Sequence, residues 1–122
     1  MKMIRSTDPN CFQRQQPYPW MNPQDLLTQQ GFQTLLSNMP DLSLFTAFFD
    51  KKRKYGQKSH NRYVLEYREG LDLPAPWQAF INELRSDLYR NFIKDLLARG
   101  HICFRFHWHY TPSGCAVSPH CD

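Results

Sequence analysis

Residues 102–122 read ICFRFHWHYTPSGCAVSPHCD, and the fold turns on how this stretch is read. Ile102, Phe104, Phe106, Trp108 and Tyr110 are apolar or aromatic, and His101, Cys103, Arg105, His107 and His109 fall between them. Strict alternation predicts an extended strand over 102–110 with one buried face and one polar face. Thr111–Pro112–Ser113–Gly114 predicts a turn, because Pro fixes φ early and Gly admits a positive φ late. A second strand is predicted over 115–121, where Cys115, Val117, Pro119 and Cys121 alternate with Ala116, Ser118, His120 and Asp122. On an extended chain His120 and Asp122 point the same way. A simple hairpin would set His120 opposite Arg105 and Asp122 opposite Cys103. It would gather Arg105, His107, His109, Ser118, His120 and Asp122 on one polar face.

An imidazole and a carboxylate on one face can grip one divalent metal ion. Two His and one carboxylate on one side of the ion, with open positions opposite, is the arrangement of non-haem Fe(II) oxygenases. Tyr110, Gly114, Pro119, His120 and Asp122 resemble the Y…G…PHxD strand pair of the iron(II)/2-oxoglutarate-dependent dioxygenases, prolyl-4-hydroxylase-like branch. The resemblance implies a double-stranded β-helix, or jelly roll, preceded by supporting helices, in which these strands belong to facing sheets rather than to a simple hairpin. It implies Fe(II) held by His120, Asp122 and a His several strands later, with 2-oxoglutarate as cosubstrate. A basic residue after that distal His, usually Arg, would hold the far carboxylate of 2-oxoglutarate. The implied reaction is an oxidation of hydroxylase type, coupled to conversion of 2-oxoglutarate to succinate and carbon dioxide. The chain stops at Asp122, so the resemblance covers an amino-terminal part, incomplete as a barrel and inactive by itself. Tyr110 and Arg105 are the expected contacts to 2-oxoglutarate. His107 and His109 are expected beside the metal, or as a replacement third ligand. No residue of the chain is assigned a catalytic proton transfer.

Upstream, the chain alternates helical and extended patterns. Residues 1–21, with Pro9, Pro17 and Pro19, read as an irregular leader anchored by Tyr18, Trp20 and Met21, and residues 22–122 as a single partial domain. Asn22–Pro23 reads as the start of a helix, or two short ones, over 23–38, with Leu26, Leu27, Phe32, Leu35 and Leu36 as its stripe and Gly31 as a weak point inside it. Leu42–Phe49 suits a strand, although its length also admits a helical turn, and Arg62–Tyr67 reads as a second strand; the basic loop DKKRKYGQK over 50–58 would join the two as a long hairpin. Trp77, Phe80, Ile81 and Leu84 predict a helix over 77–85. Ser86–Asp87 caps a second helix over 87–98, with Leu88, Phe92, Leu96 and Leu97 as its stripe and Gly100 as its left-handed stop. The expected class is α+β, with helices backing an antiparallel sheet.

Composition sets outer limits. The 122 residues are 41% hydrophobic and 15% aromatic, which supports a folded core rather than disorder. The opening MKMIRSTDPNC has no apolar run behind its charges, and no stretch approaches the roughly 20 apolar residues of a membrane span, so a cytoplasmic protein with reduced thiols is expected. A formal charge of +4 favours an anionic substrate or partner. The competing class is a small binding module. Cys103, His107, His109, Cys115, His120 and Cys121 crowd together as zinc ligands would, but only Cys103 and His107 have the spacing of a knuckle. Lys51, Lys52, Arg53, Lys54 and Lys58 would be the route to nucleic acid, set against a solvated loop tip. Open sheet edges would favour self-association. The substrate is not written in the sequence.

Overall fold

The computed structural model describes residues 7–22 and 26–116, which form four α-helices and a three-stranded antiparallel sheet. The class is α+β. The described residues divide into two compact units, one drawn from 7–39 and 73–104, the other from 40–72 and 105–116. All four helices lie in the first unit and all three strands in the second.

In the helical unit, α1 (Pro9–Gln13) lies where an irregular leader was expected. Asp8 caps it by accepting from the Asn10 N–H at 2.9 Å, and Pro9 occupies the first turn, where its missing N–H costs nothing. Five residues are too few to hold a helix alone. Phe12 packs on Phe92 and Leu96 together with Met21, Leu26, Tyr89 and Ile93, and the Gln13 side-chain amide donates to the Leu96 carbonyl.

Helix α2 (Gln29–Ser37) starts later than the Asn22–Pro23 pair suggested. Thr28 is the cap, its hydroxyl accepting from the Gly31 N–H at 3.0 Å. Gly31 therefore sits in the first turn rather than mid-helix, and a Cβ there would come to 3.1 Å from Thr28 Oγ1. Trp77 of α3 (Ala75–Leu84) donates from Nε1 to the Leu35 carbonyl at 3.1 Å and so ties α3 to α2. The expected α3 stripe of Trp77, Phe80, Ile81 and Leu84 is buried or half-buried.

Helix α4 (Asp87–Leu97) is capped by Ser86, as its sequence indicated. Its inward stripe differs: Tyr89, Phe92, Ile93 and Leu96 face the core, while Leu88 is 65% and Leu97 42% exposed. The apolar arc is wider than one stripe, and packing against Phe12, Met21 and Leu26 selects its Tyr89 edge. The left-handed stop also differs. Ala98, not Gly100, takes φ 49°, and the Arg99 N–H closes onto the Lys94 carbonyl at 3.0 Å.

In the sheet unit, Leu42–Leu44 forms a 3-10 turn capped by Asp41, which shortens the expected first strand to β1 (Thr46–Phe48). Strand β2 (Arg62–Glu66) is central. It pairs with β1 as Thr46↔Val64 and Phe48↔Arg62, the expected hairpin, and with β3 (His107–Tyr110) as Leu65↔Trp108 and Glu66↔His107. The Tyr67 N–H donates to the Phe106 carbonyl at 2.9 Å and carries that ladder one step further. Strand β3 thus has β2 as a neighbour. Cys115 and Ala116 are in no strand, and 117–121 lie outside the described residues. A turn does follow β3: the Cys115 N–H donates to the Pro112 carbonyl at 3.1 Å, with Gly114 at φ 80°.

The stretch 102–108 shows the predicted alternation in burial, although only its end is paired. Ile102, Phe104, Phe106 and Trp108 are half-buried or buried, and the residues between them are exposed. Phe104 belongs to the helical unit, beneath the Arg90 guanidinium at 5.3 Å and beside Tyr89 at 5.7 Å. Among the described residues no helix is long and apolar enough to cross a membrane.

Three substitutions test these accounts of α4 by urea denaturation. Leu96→Ala is expected to lower stability by about 2–5 kcal/mol, against no more than about 0.5 kcal/mol for Leu88→Ala. Ala98→Gly is expected to raise stability by roughly 1 kcal/mol by relieving the left-handed penalty on a residue with a Cβ.

Candidate functional site

The register of the sheet sorts its side chains into two faces. On one face lie Tyr63, Leu65 and Tyr67 with Phe106, Trp108 and Tyr110, and neighbouring rings stand 5.2 to 6.2 Å apart from Phe49–Tyr63 to Tyr67–Phe106. Leu65 and Trp108 are its buried centre. On the other face lie Thr46, Phe48, Arg62, Val64 and Glu66 with His107 and His109, and Arg105 continues it by alternation.

This second face carries most of the ionisable chemistry of the sheet. Glu66 Oε1 accepts from Arg105 Nη2 at 2.9 Å and from Arg105 Nε at 3.2 Å, and the guanidinium holds the carboxyl below its ordinary value. Both side chains are largely exposed, at 71% and 53%, so water screens the pair. His107 and His109 stand with ring centroids 5.9 Å apart. Partial burial, then the charge of Arg62 and then His107, hold His109 below its ordinary value. Arg62 itself lies over the Phe48 ring at 5.6 Å. A hollow of about 240 Å³ opens beside this chemistry, lined by Leu44, Thr46, Phe48, Val64, Leu65, Glu66 and Arg68.

The expected ligands His120 and Asp122 lie outside the described residues. Among the described residues no three His, Cys, Asp or Glu side chains come together to hold a metal ion. Cys103 Sγ lies 3.6 Å from His101 Nε2. Tyr110 and Arg105 fall on opposite faces: Tyr110 shares the aromatic face and is 53% exposed, while Arg105 is engaged by Glu66. One small ligand lying on either face reaches only one of them. In comparisons with family models, curated proteins and solved structures, nothing matches the chain.

Sequence reasoning missed the part played by Arg62 and Glu66. The signal was present in RYVLEY, where Arg62, Val64 and Glu66 share the phase opposite Tyr63, Leu65 and Tyr67. It also missed His60, a buried imidazole whose Nε2 accepts from Arg53 Nη1 at 2.7 Å. No periodicity announces a pair across a loop.

The His109 ring is expected to titrate below 6.5 in an NMR pH series, and Arg62→Ala should move it upward by removing a nearby positive charge. A depressed folded-state value means that the unfolded chain takes up the proton first. Stability is thus full above the ordinary value and declines as pH falls through the folded one. A downward move of His109 in Arg62→Ala would contradict the placement.

Proposed function

We propose that the chain supplies the amino-terminal part, with the first two iron ligands, of an Fe(II)- and 2-oxoglutarate-dependent dioxygenase. The carrying observation is the sequence Pro119–His120–Cys121–Asp122 placed after an alternating strand and a Gly turn. The antiparallel strand β3, followed by the Pro112–Cys115 turn with Gly114 left-handed, supports that context. Helices over 75–97 preceding β3 agree with supporting helices ahead of a jelly-roll barrel.

In this reading His120 and Asp122 hold the metal, and imidazole with carboxylate is a donor set that suits Fe(II). When bound, iron would let dioxygen oxidise both partners, one oxygen atom going to succinate as 2-oxoglutarate loses carbon dioxide and the other entering the substrate C–H bond. This chain contributes two ligands and an aromatic face. Tyr110, on that face and 53% exposed, would donate a hydrogen bond to the cosubstrate. Arg105, the other expected contact to 2-oxoglutarate, bonds Glu66 on the opposite face. His107 and His109 share that opposite face, away from Tyr110.

The test compares this chain with a version extended past Asp122, following Fe(II) binding and succinate release from 2-oxoglutarate. The extended protein is expected to turn over and to lose at least about 100-fold in rate on His120→Ala or Asp122→Ala, since a facial site fails without either ligand. The 122-residue form is expected to release no succinate above background. Turnover by that form alone, or an active His120→Ala variant, would overturn the reading.

A further inference from the structure

The loop between β1 and β2 carries chemistry that the dioxygenase reading leaves unused. Asp50 to Asn61 holds five cationic residues and one carboxylate. Its base is clasped. The Asp50 N–H donates to Asn61 Oδ1 at 2.9 Å, the Ser59 hydroxyl donates to the same oxygen at 2.6 Å, and Arg53 is turned onto buried His60. The clasp leaves the tip open. Lys51, Lys52, Lys54 and Lys58 are exposed, and none is paired with a carboxylate among the described residues.

Tyr55 stands at that tip, 96% exposed, the most exposed large hydrophobic residue described. Its backbone is left-handed at φ 60°, and Gly56 follows at φ 68° with open space where a Cβ would be. A residue with a Cβ rarely takes this conformation. Water gains nothing from holding a bare aromatic ring there. A ligand that offers both a flat face and negative charge does.

We propose that the Asp50–Asn61 loop binds single-stranded nucleic acid, with Tyr55 stacking on an unpaired base and Lys51, Lys52, Lys54 and Lys58 contacting the flanking phosphates. The two components match what sequence-tolerant single-strand binding requires: a stacking platform and a cationic track. In a duplex the base faces are covered by their neighbours, so the stacking component selects single strands. An anionic membrane would use the lysines, but the rest of the loop is Asp, Arg, Gly, Gln, Ser, His and Asn, with no aliphatic side chain to bury beside Tyr55. The proposal involves neither iron nor 2-oxoglutarate and stands or falls apart from the catalytic reading.

The experiment is fluorescence anisotropy of the 122-residue protein with a 12-nucleotide oligo(dT), a duplex of the same length, and heparin, across a salt series, with sedimentation on phosphatidylserine vesicles alongside. Expected are a preference for the single strand and a slope of log affinity against log salt of about −3 if all four lysines meet phosphates. Changing the four lysines to Ala should flatten that slope. Tyr55→Asn, which tolerates the left-handed backbone, should weaken oligo(dT) binding roughly 5-fold to 100-fold, and Tyr55→Trp should keep it. Overlaid circular dichroism spectra of the variants show that the fold is intact. Affinity unchanged by Tyr55→Asn, equal or tighter binding of the duplex or heparin, or association with vesicles but not with oligo(dT), would each overturn the proposal.

Discussion

The pairing of β2 with β3, with Leu65 set opposite Trp108, is the constraint on which the sheet unit depends. Both side chains are buried, at 3% and 7% exposure, and the side-chain period of a strand is two. A slip of one residue would carry Leu65 or Trp108 into water and bring His107, His109 or Glu66 inward. Burial of this one cross-strand pair therefore fixes everything else about the faces. Tyr63 meets Tyr110, His109 meets Val64, and Arg105 reaches diagonally to Glu66. The Arg105–Glu66 pair follows from the register rather than setting it, since both groups remain largely in water.

The helical unit is closed by a comparable small set of contacts. Phe92 and Leu96 form its buried pair, and α1 exists because Phe12 can pack there and Gln13 can satisfy the Leu96 carbonyl. Trp77 serves twice, burying its ring in the α3 stripe and using its N–H on the Leu35 carbonyl near the end of α2. An indole that is apolar in body and polar at one edge suits a junction where helix-end carbonyls need donors.

Faces, rather than individual residues, organise the chemistry. Arg62, Glu66, His107 and His109 sit together on one side, where partial burial, then the charge of Arg62 and then His107 favour the neutral form of His109. Tyr110 sits on the aromatic side. Any ligand bound on the sheet meets one environment or the other, because a strand separates adjacent side chains onto opposite faces. The loop over 50–61 offers a third environment, cationic and open, whose arms are fixed by the Asp50–Asn61 contacts.

What the sequence by itself determined is local. The alternation of 102–108 announced which side chains would be covered, although Tyr110 at its end stays 53% exposed; Ser86 announced the start of α4, and the Trp77 stripe announced the inner side of α3. Each follows from backbone geometry over a few residues, where propensity and period speak directly. Tertiary structure decided the rest. The alternating stretch could have paired with any strand, since period two describes a face and not a partner; contact with Leu65 chose β2. Helix α4 offered a wide apolar arc from Leu88 to Leu97, and Phe12, Met21 and Leu26 chose its Tyr89 edge. Gly100 was the cheapest residue to turn left-handed, yet the chain turns at Ala98, where the Arg99 N–H can reach the Lys94 carbonyl. Partner choice and turn position are settled by contacts between segments far apart in sequence, and no window of neighbouring residues contains them.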